Sequence, residues 1–194
     1  VELVVMLKRQ AAKMIDNIII RQANLDDAQK LKQYSADCFI ETFAHLYPNE
    51  DLVFFLGEKY SLEAVQKQIL DDENYILIAQ NQNNDFVGYA MSAPMGLPFK
   101  EARENSYELI RLYVSSEAKG TGLAKKLYEM VLKKAHELNS SELYLGVYCD
   151  NLRAQSFYKK LGFEIVGKYL FPVGNTMDDE RIMRLNHAIF MESK

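Results

Sequence analysis

The stretch from Tyr107 to Asn139 constrains this chain more than any other. Tyr107 to Val114 alternates side chains in the strand manner, with Glu108, Ile110, Leu112 and Val114 expected on one face and Tyr107, Leu109, Arg111 and Tyr113 on the other. The glycine segment Lys119-Gly120-Thr121-Gly122 follows. After it comes an amphipathic helix with the apolar stripe Leu123, Leu127, Met130, Val131, Ala135 and Leu138, which Asn139 stops. A strand that turns through glycines into a long helix must pack that helix back on its own sheet, so the fold contains a sheet covered by helices.

The remaining elements define which kind of sheet. Ile18 to Arg21 reads as a first strand, and Asn24 precedes a helix running to about Thr42. Asn49 is a candidate cap for a short helix broken near Gly57, and Ser61 opens another. Tyr75 to Gln80 and Phe86 to Ala93 form a hairpin around the polar turn 81–85. Pro94, Gly96 and Pro98 mark a loop. Leu143 to Val147 is a strand, Asn151 caps a helix ended by Gly162, and two strands follow near Phe163 to Leu170 and Arg181 to Leu185. This order predicts an α/β (α+β) fold with a mixed, mostly antiparallel sheet rather than a doubly wound one. No repeat or low-complexity linker interrupts it, so residues 18–194 read as one domain and residues 1–17 as an extension outside it.

Composition removes several function classes. The 194 residues carry a net charge of −4 and a pI near 5.5, without the basic face that nucleic-acid binding uses. No apolar run reaches the roughly 18 residues of a membrane span. Cys38 and Cys149 lack any ligand spacing, as do His45, His136 and His187, so neither a structural metal site nor a disulfide framework is expected and a reducing, cytoplasmic setting is.

Two segments carry chemistry. Glycines at a helix start bring backbone N–H groups close to an anion, and the helix dipole favours it. A Walker loop is excluded because Lys125 stands five positions after Gly120, and a dinucleotide fingerprint fails at that same position. The second segment is Asn151-Leu152-Arg153-Ala154-Gln155-Ser156-Phe157-Tyr158-Lys159-Lys160-Leu161-Gly162-Phe163. Asn151 and Tyr158 lie seven residues apart, about 20° from eclipsed on one helix face. Alone, Tyr158 reads better as a core aromatic.

Together the two segments resemble the signature of the GNAT superfamily of acetyl-CoA-dependent N-acetyltransferases, over about Ile18 to Leu185. The phosphate motif Arg/Gln-x-x-Gly-x-Gly/Ala appears as Lys119-x-x-Gly122-x-Ala124. The resemblance implies a sheet splayed at the two strands around the cosubstrate. It also implies that Leu112, Tyr113 and Val114 pair their backbone with the pantetheine arm of CoA, that Lys119, Gly120, Thr121, Gly122, Leu123 and Ala124 wrap the pyrophosphate, and that Asn151 hydrogen-bonds the cofactor. Tyr158 would protonate the departing thiolate, in direct transfer within a ternary complex. Cys149 would take no covalent part.

The segments Phe39 to Phe43, Glu50 to Leu52, Ala79 to Tyr89 and Phe171 to Met183 resemble the PaiA-type spermidine/spermine acetyltransferases within that superfamily. A primary ammonium has a pKa near 10, so a carboxylate that takes its proton would help. Glu108 is the candidate because its strand borders the thioester in the family, with a plain sheet-edge glutamate as the alternative. Many relatives have a Glu where this chain has Ile110. Glu41, Glu50 and Asp51 are candidates for an acidic mouth, with solvated helix-end charges as the alternative. The expected partner is a small amine such as spermidine or spermine. Acetylation of a protein N-terminus or lysine, and a non-catalytic CoA-binding regulator, are the competing readings; a closed acidic pocket would favour the first and an open groove the second, and Tyr158 speaks against the third. The tail Ile189 to Met191 is a candidate homodimer contact or a disordered end.

Overall fold

The computed structural model describes residues 17–193. Apart from residue 17, the extension expected over residues 1–17 lies outside the described residues. A single seven-stranded sheet runs through the molecule in the order β1-β2-β3-β4-β5-β7-β6. Its strands are β1 (Ile19–Gln22), β2 (Tyr75–Gln80), β3 (Phe86–Pro94), β4 (Tyr107–Val114), β5 (Leu143–Tyr148), β6 (Phe163–Val173) and β7 (Thr176–Leu185). All neighbours are antiparallel except β4 and β5. This is the mixed, mostly antiparallel arrangement expected from the sequence.

Helices cover both faces, which is why β2 and β3 are apolar nearly throughout instead of alternating. On one face lies α4 (Leu123–Glu137), whose Leu123, Leu127, Val131 and Ala135 are fully buried against Leu109, Leu145 and Met183. On the other lie α1 (Ala28–Phe43) and α3 (Leu62–Leu70), where Leu31 and Val65 pack on Ile76, Ile78 and Tyr89. The helix α2 (Asn49–Tyr60) closes a third, aromatic cluster of Phe39, Phe55 and Tyr60 against the far end of β6.

Several boundaries differ from the sequence reading for physical reasons. Asn24 caps a short 3₁₀ turn, Leu25–Asp27, from which α1 continues; the turn is fixed by Arg21, whose two guanidinium nitrogens each donate to Asp27 at 2.7 Å. Asn49 is the first residue of α2 and not its cap, and the helix runs through Gly57, beside which a Cβ would meet nothing. An exposed glycine costs a helix about 1 kcal/mol, which the packing of Phe55 and Tyr60 outweighs. The last hairpin is longer than expected: β7 begins at Thr176, not near Arg181. Its acidic start is tolerated because Asp178 takes the Tyr47 hydroxyl, Asp179 the Arg181 guanidinium and Glu180 the Tyr169 hydroxyl. The C-terminal residues are neither a bare surface patch nor a loose end. They form α6 (His187–Glu192), with Phe190 fully buried and the rest of the helix, Ile189 and Met191 included, exposed.

The largest departure is in β4. Met91 pairs with Arg111 and Ser92 with Leu109, so Ile110 is an extra residue, a β-bulge. The bulge reverses the side-chain alternation. Tyr107 and Leu109, then Leu112 and Val114, pack on the α4 side, while Arg111 and Tyr113 turn to the α1–α3 side. The two faces read from unbroken alternation therefore exchange halfway along the strand.

Candidate active site

β4 and β5 share only two paired positions, Tyr107 with Leu143 and Glu108 with Tyr144. Beyond them the strands diverge into a V, and a cleft of about 930 Å³ opens through the sheet. The expected splay is thus present, and along it the β5-facing backbone of β4 past Glu108 has no strand partner among the described residues. Such free backbone groups suit a ligand that carries amides of its own.

One end of the cleft is the glycine turn. Gly120 and Gly122 have φ of 81° and 95°, the left-handed region that glycine alone enters freely. Thr121 lies outside the cleft lining. Its hydroxyl donates to the Ala118 carbonyl at 2.6 Å and accepts from the Leu123 N–H. Leu123 itself is fully buried in the core, so only its backbone belongs to the turn. Among the described residues, the N–H groups of Gly120, Gly122, Ala124 and Lys125 find no acceptor. Orphan donors at the start of a 15-residue helix make an anion site. This is the observation by which the turn fits a pyrophosphate. Lys119 lines the cleft and meets Glu41 at 3.6 Å. Both side chains are well exposed, so the pair adds at most about 1 kcal/mol.

Asn151 and Tyr158 stand on the opposite wall, on α5 (Leu152–Lys160). Asn151 caps the helix through Oδ1, which accepts from the Ala154 N–H at 3.1 Å, so its amide N–H₂ remains available. Tyr158 is held by Phe157 and Phe163, with ring centroids at 5.3 and 5.7 Å. Burial raises its phenol well above the ordinary value, so it stays protonated at any working pH. Its hydroxyl has no hydrogen-bond partner among the described residues, although Tyr158 lines the cleft.

Two carboxylates line the V, Glu108 at its base and Glu180 farther along beside Gly146. Glu108 is 8% exposed, and its Oε2 accepts the Gly96 N–H at 2.9 Å, which ties down the loop after β3. Burial raises its pKa while the N–H groups of Gly96 and Leu97 oppose the rise. Glu180 on β7 was not singled out from the sequence. It accepts the Tyr169 hydroxyl at 2.9 Å, and a Cβ on Gly146 of β5 would lie 2.8 Å from its Oε2. That glycine lets the carboxylate reach across β5 into the cleft. Desolvation, opposed by the Tyr169 hydrogen bond and aided by the nearby Asp178 and Glu108, pushes Glu180 up to about 7.

The proposed acidic mouth is not assembled. Glu41 lines the cleft, but at its glycine-turn end beside Lys119. Glu50 is exposed on the first turn of α2, outside the cleft. Asp51 is a structural tie: its carboxylate accepts from the Asn175 N–H and the Thr176 hydroxyl, each at 2.8 Å, fastening α2 to the β6–β7 turn. Asp51 does not line the cleft. Arg111, turned by the bulge, lies 4.6 Å from the Tyr60 ring centroid and donates to Gln68 at 3.2 Å.

No group of three or more His, Cys, Asp or Glu among the described residues is placed to hold a metal ion. Nor is any of their helices long and apolar enough to cross a membrane. Cys38 and Cys149 are free thiols.

A splayed β4–β5 pair, an anion-binding glycine turn and a tyrosine on the facing helix are the features the resemblance implies for a protein that binds an acyl thioester of CoA and transfers its acyl group. The comparisons with known proteins agree. Residues 29–163 match the family model described as the acetyltransferase (GNAT) family, and the chain belongs to that family. It is an acetyl-CoA-dependent N-acetyltransferase. An uncharacterised N-acetyltransferase of Mycobacterium bovis is 29% identical over 82% of this chain and 97% of that protein. The spermidine N(1)-acetyltransferase of Thermoplasma acidophilum is 29% identical over 77% of this chain and 89% of that protein. Among solved structures, the PaiA N-acetyltransferase of Thermoplasma acidophilum in complex with coenzyme A superposes with a TM-score of 0.70. It is 24% identical and covers 87% of this chain and 98% of its own. A spermidine N-acetyltransferase of Vibrio cholerae, in complex with CoA and spermine, gives a TM-score of 0.62 at 18% identity over 91% and 98%.

Proposed function

We propose that this enzyme acetylates a primary amine of a polyamine such as spermidine or spermine, in a cytoplasmic setting. The observation that carries the reading is the base of the V. Glu108 at that base and Glu180 farther along the same cleft have no Lys or Arg in ion-pair range among the described residues. Buried carboxylates without a cation are costly, and a cationic acceptor would relieve the cost. The names of the Thermoplasma acidophilum and Vibrio cholerae spermidine acetyltransferases support the same acceptor class.

In this reading acetyl-CoA, when bound, supplies the acetyl thioester. The turn of Lys119, Gly120, Gly122 and Ala124 holds the pyrophosphate by backbone donors, Leu112 to Val114 hold the pantetheine arm, and Asn151 adds a side-chain hydrogen bond. Tyr158 gives its proton to the sulfur as the C–S bond breaks. Glu108 orders the loop at Gly96 and keeps the acceptor end negative. The exposed faces of Ile189 and Met191 on α6 are a candidate contact for a homodimer.

The test is a panel of amines with acetyl-CoA, read as free thiol release. Spermidine and spermine should give release well above buffer, and lysine-containing peptides should not. Release with peptides and none with polyamines would overturn the acceptor class and favour the protein-acetylating reading.

A further inference from the structure

We infer that Glu180, positioned by Tyr169, is the residue that takes the proton from the incoming amine. The inference rests on the acetyl-transfer reaction and not on the acceptor being a polyamine. Three observations separate Glu180 from Glu108. First, Glu108 is 8% exposed and its carboxylate is engaged by the backbone of the Gly96–Leu97 loop. Glu180 receives the Tyr169 hydroxyl on Oε2 alone, and its Oε1 has no donor among the described residues. Second, β5 carries a glycine, Gly146, beside the Glu180 carboxylate. A side chain at position 146 would collide with Tyr169 Oη at 2.7 Å and with Glu180 Oε2 at 2.8 Å, so the glycine is what leaves room for the Tyr169–Glu180 pair at the cleft wall. Third, Glu180 and Tyr158 line the same cleft, from β7 and from α5, on the two sides of the β4–β5 gap.

The groups facing Glu180 are Tyr169 on β6, Tyr148 opposite it on β5, Glu108 on β4, Asp178 on its own strand, and Tyr47, which donates to Asp178. No described Lys or Arg forms an ion pair with it. These surroundings push it up to about 7, a proton affinity matched to work near neutral pH. The step balances. Glu180 takes one proton from the ammonium, and the freed nitrogen lone pair forms the N–C bond to the acetyl carbon. The C–S bond breaks and the sulfur leaves with the Tyr158 proton. The second proton on nitrogen restores the tyrosine, and Glu180 passes its own to solvent.

The experiment compares wild type, Glu180→Gln, Glu108→Gln and Tyr169→Phe. Rates are measured with spermidine and, separately, with the monoamine benzylamine, so that a failure of the polyamine reading leaves the benzylamine arm intact. Glutamine keeps an acceptor for Tyr169. In Glu180→Gln, kcat should fall about 100-fold or more. The acid limb of kcat/KM near pH 7 should vanish and be replaced by a rise that follows only the free-amine fraction. Glu108→Gln should retain the limb at lower pH because a like charge has gone, and Tyr169→Phe should move it to higher pH. A readout independent of turnover is the infrared carboxylic-acid band, which should titrate near 7 in wild type and be missing in Glu180→Gln. Glu180→Gln within threefold of wild type with its limb intact, a limb lost in Glu108→Gln alone, or a carboxyl band gone by pH 5 would each overturn the inference.

Discussion

Replacing Glu180 with glutamine should stabilise the fold, and only at neutral and alkaline pH. In the unfolded chain its carboxyl titrates at the ordinary 4.5, whereas in the fold it is pushed up to about 7. The native state therefore binds this proton more tightly than the unfolded state. Stability falls as pH rises from about 4.5 through 7, and the ionised carboxylate imposes its full cost above that window. A displacement of this size corresponds to about 3 kcal/mol. The open Oε1 edge faces the cleft and is partly screened, which reduces the expectation to about 2 kcal/mol. For a chain of this length that is about 4–8 °C in Tm. Urea unfolding of wild type and Glu180→Gln at pH 8 and pH 4, without ligands, measures it. The variant should be the more stable at pH 8 and equal to wild type at pH 4. Equal stability at pH 8, or a difference that persists unchanged at pH 4, would refute the reasoning, since neither can come from ionisation of this side chain. With the variant more stable at pH 8, the native residue is one that lowers stability at the pH where it works, a pattern common at sites that do chemistry.

Further outcomes follow from the other walls of the cleft. Tyr158→Phe should lower kcat about 100-fold with CoA affinity by calorimetry unchanged, because only the proton is removed. Gly122→Ala forces a side chain to φ of 95° and should weaken CoA binding at least tenfold while costing about 1–2 kcal/mol in thermal unfolding. Asn151→Ala removes a helix cap worth about 1 kcal/mol, visible as a lower Tm of the free protein, and also weakens CoA binding. Leu127→Ala, at a fully buried position beneath the cleft, should cost about 2–5 kcal/mol, read by urea unfolding.

The sequence announces the cosubstrate side of the site far better than the acceptor side, for a physical reason. Backbone recognition of an anion needs glycines and a helix start, which are local features, and Gly120, Gly122 and Asn151 stand in contiguous segments. Acceptor chemistry is assembled across distance. Glu180 sits in Met177-Asp178-Asp179-Glu180-Arg181, a run whose charge argues against a strand until Tyr47 and Tyr169 are brought to it from elsewhere. The bulge at Ile110 is equally hidden. Leu109, Ile110 and Leu112 are all apolar, so alternation alone does not say which of them is the extra residue, and Leu112 and Arg111 change faces as a result. Asp51 shows the converse. An acidic residue near a helix start looks like a ligand for a cation, yet its partners are a backbone N–H and a threonine hydroxyl 124 and 125 residues away.

The gap between β4 and β5 divides the molecule into parts that answer to different constraints. The wall proposed to hold CoA is largely main chain, so a substitution there that leaves the bulge and the glycines in place should change little of what the ligand touches. The wall proposed to receive the amine is made of side chains, from Glu108, Tyr169 and Glu180. One can be rewritten residue by residue while the other stays fixed. A chain built this way can change the amine it accepts without rebuilding the machinery that hands over the acetyl group.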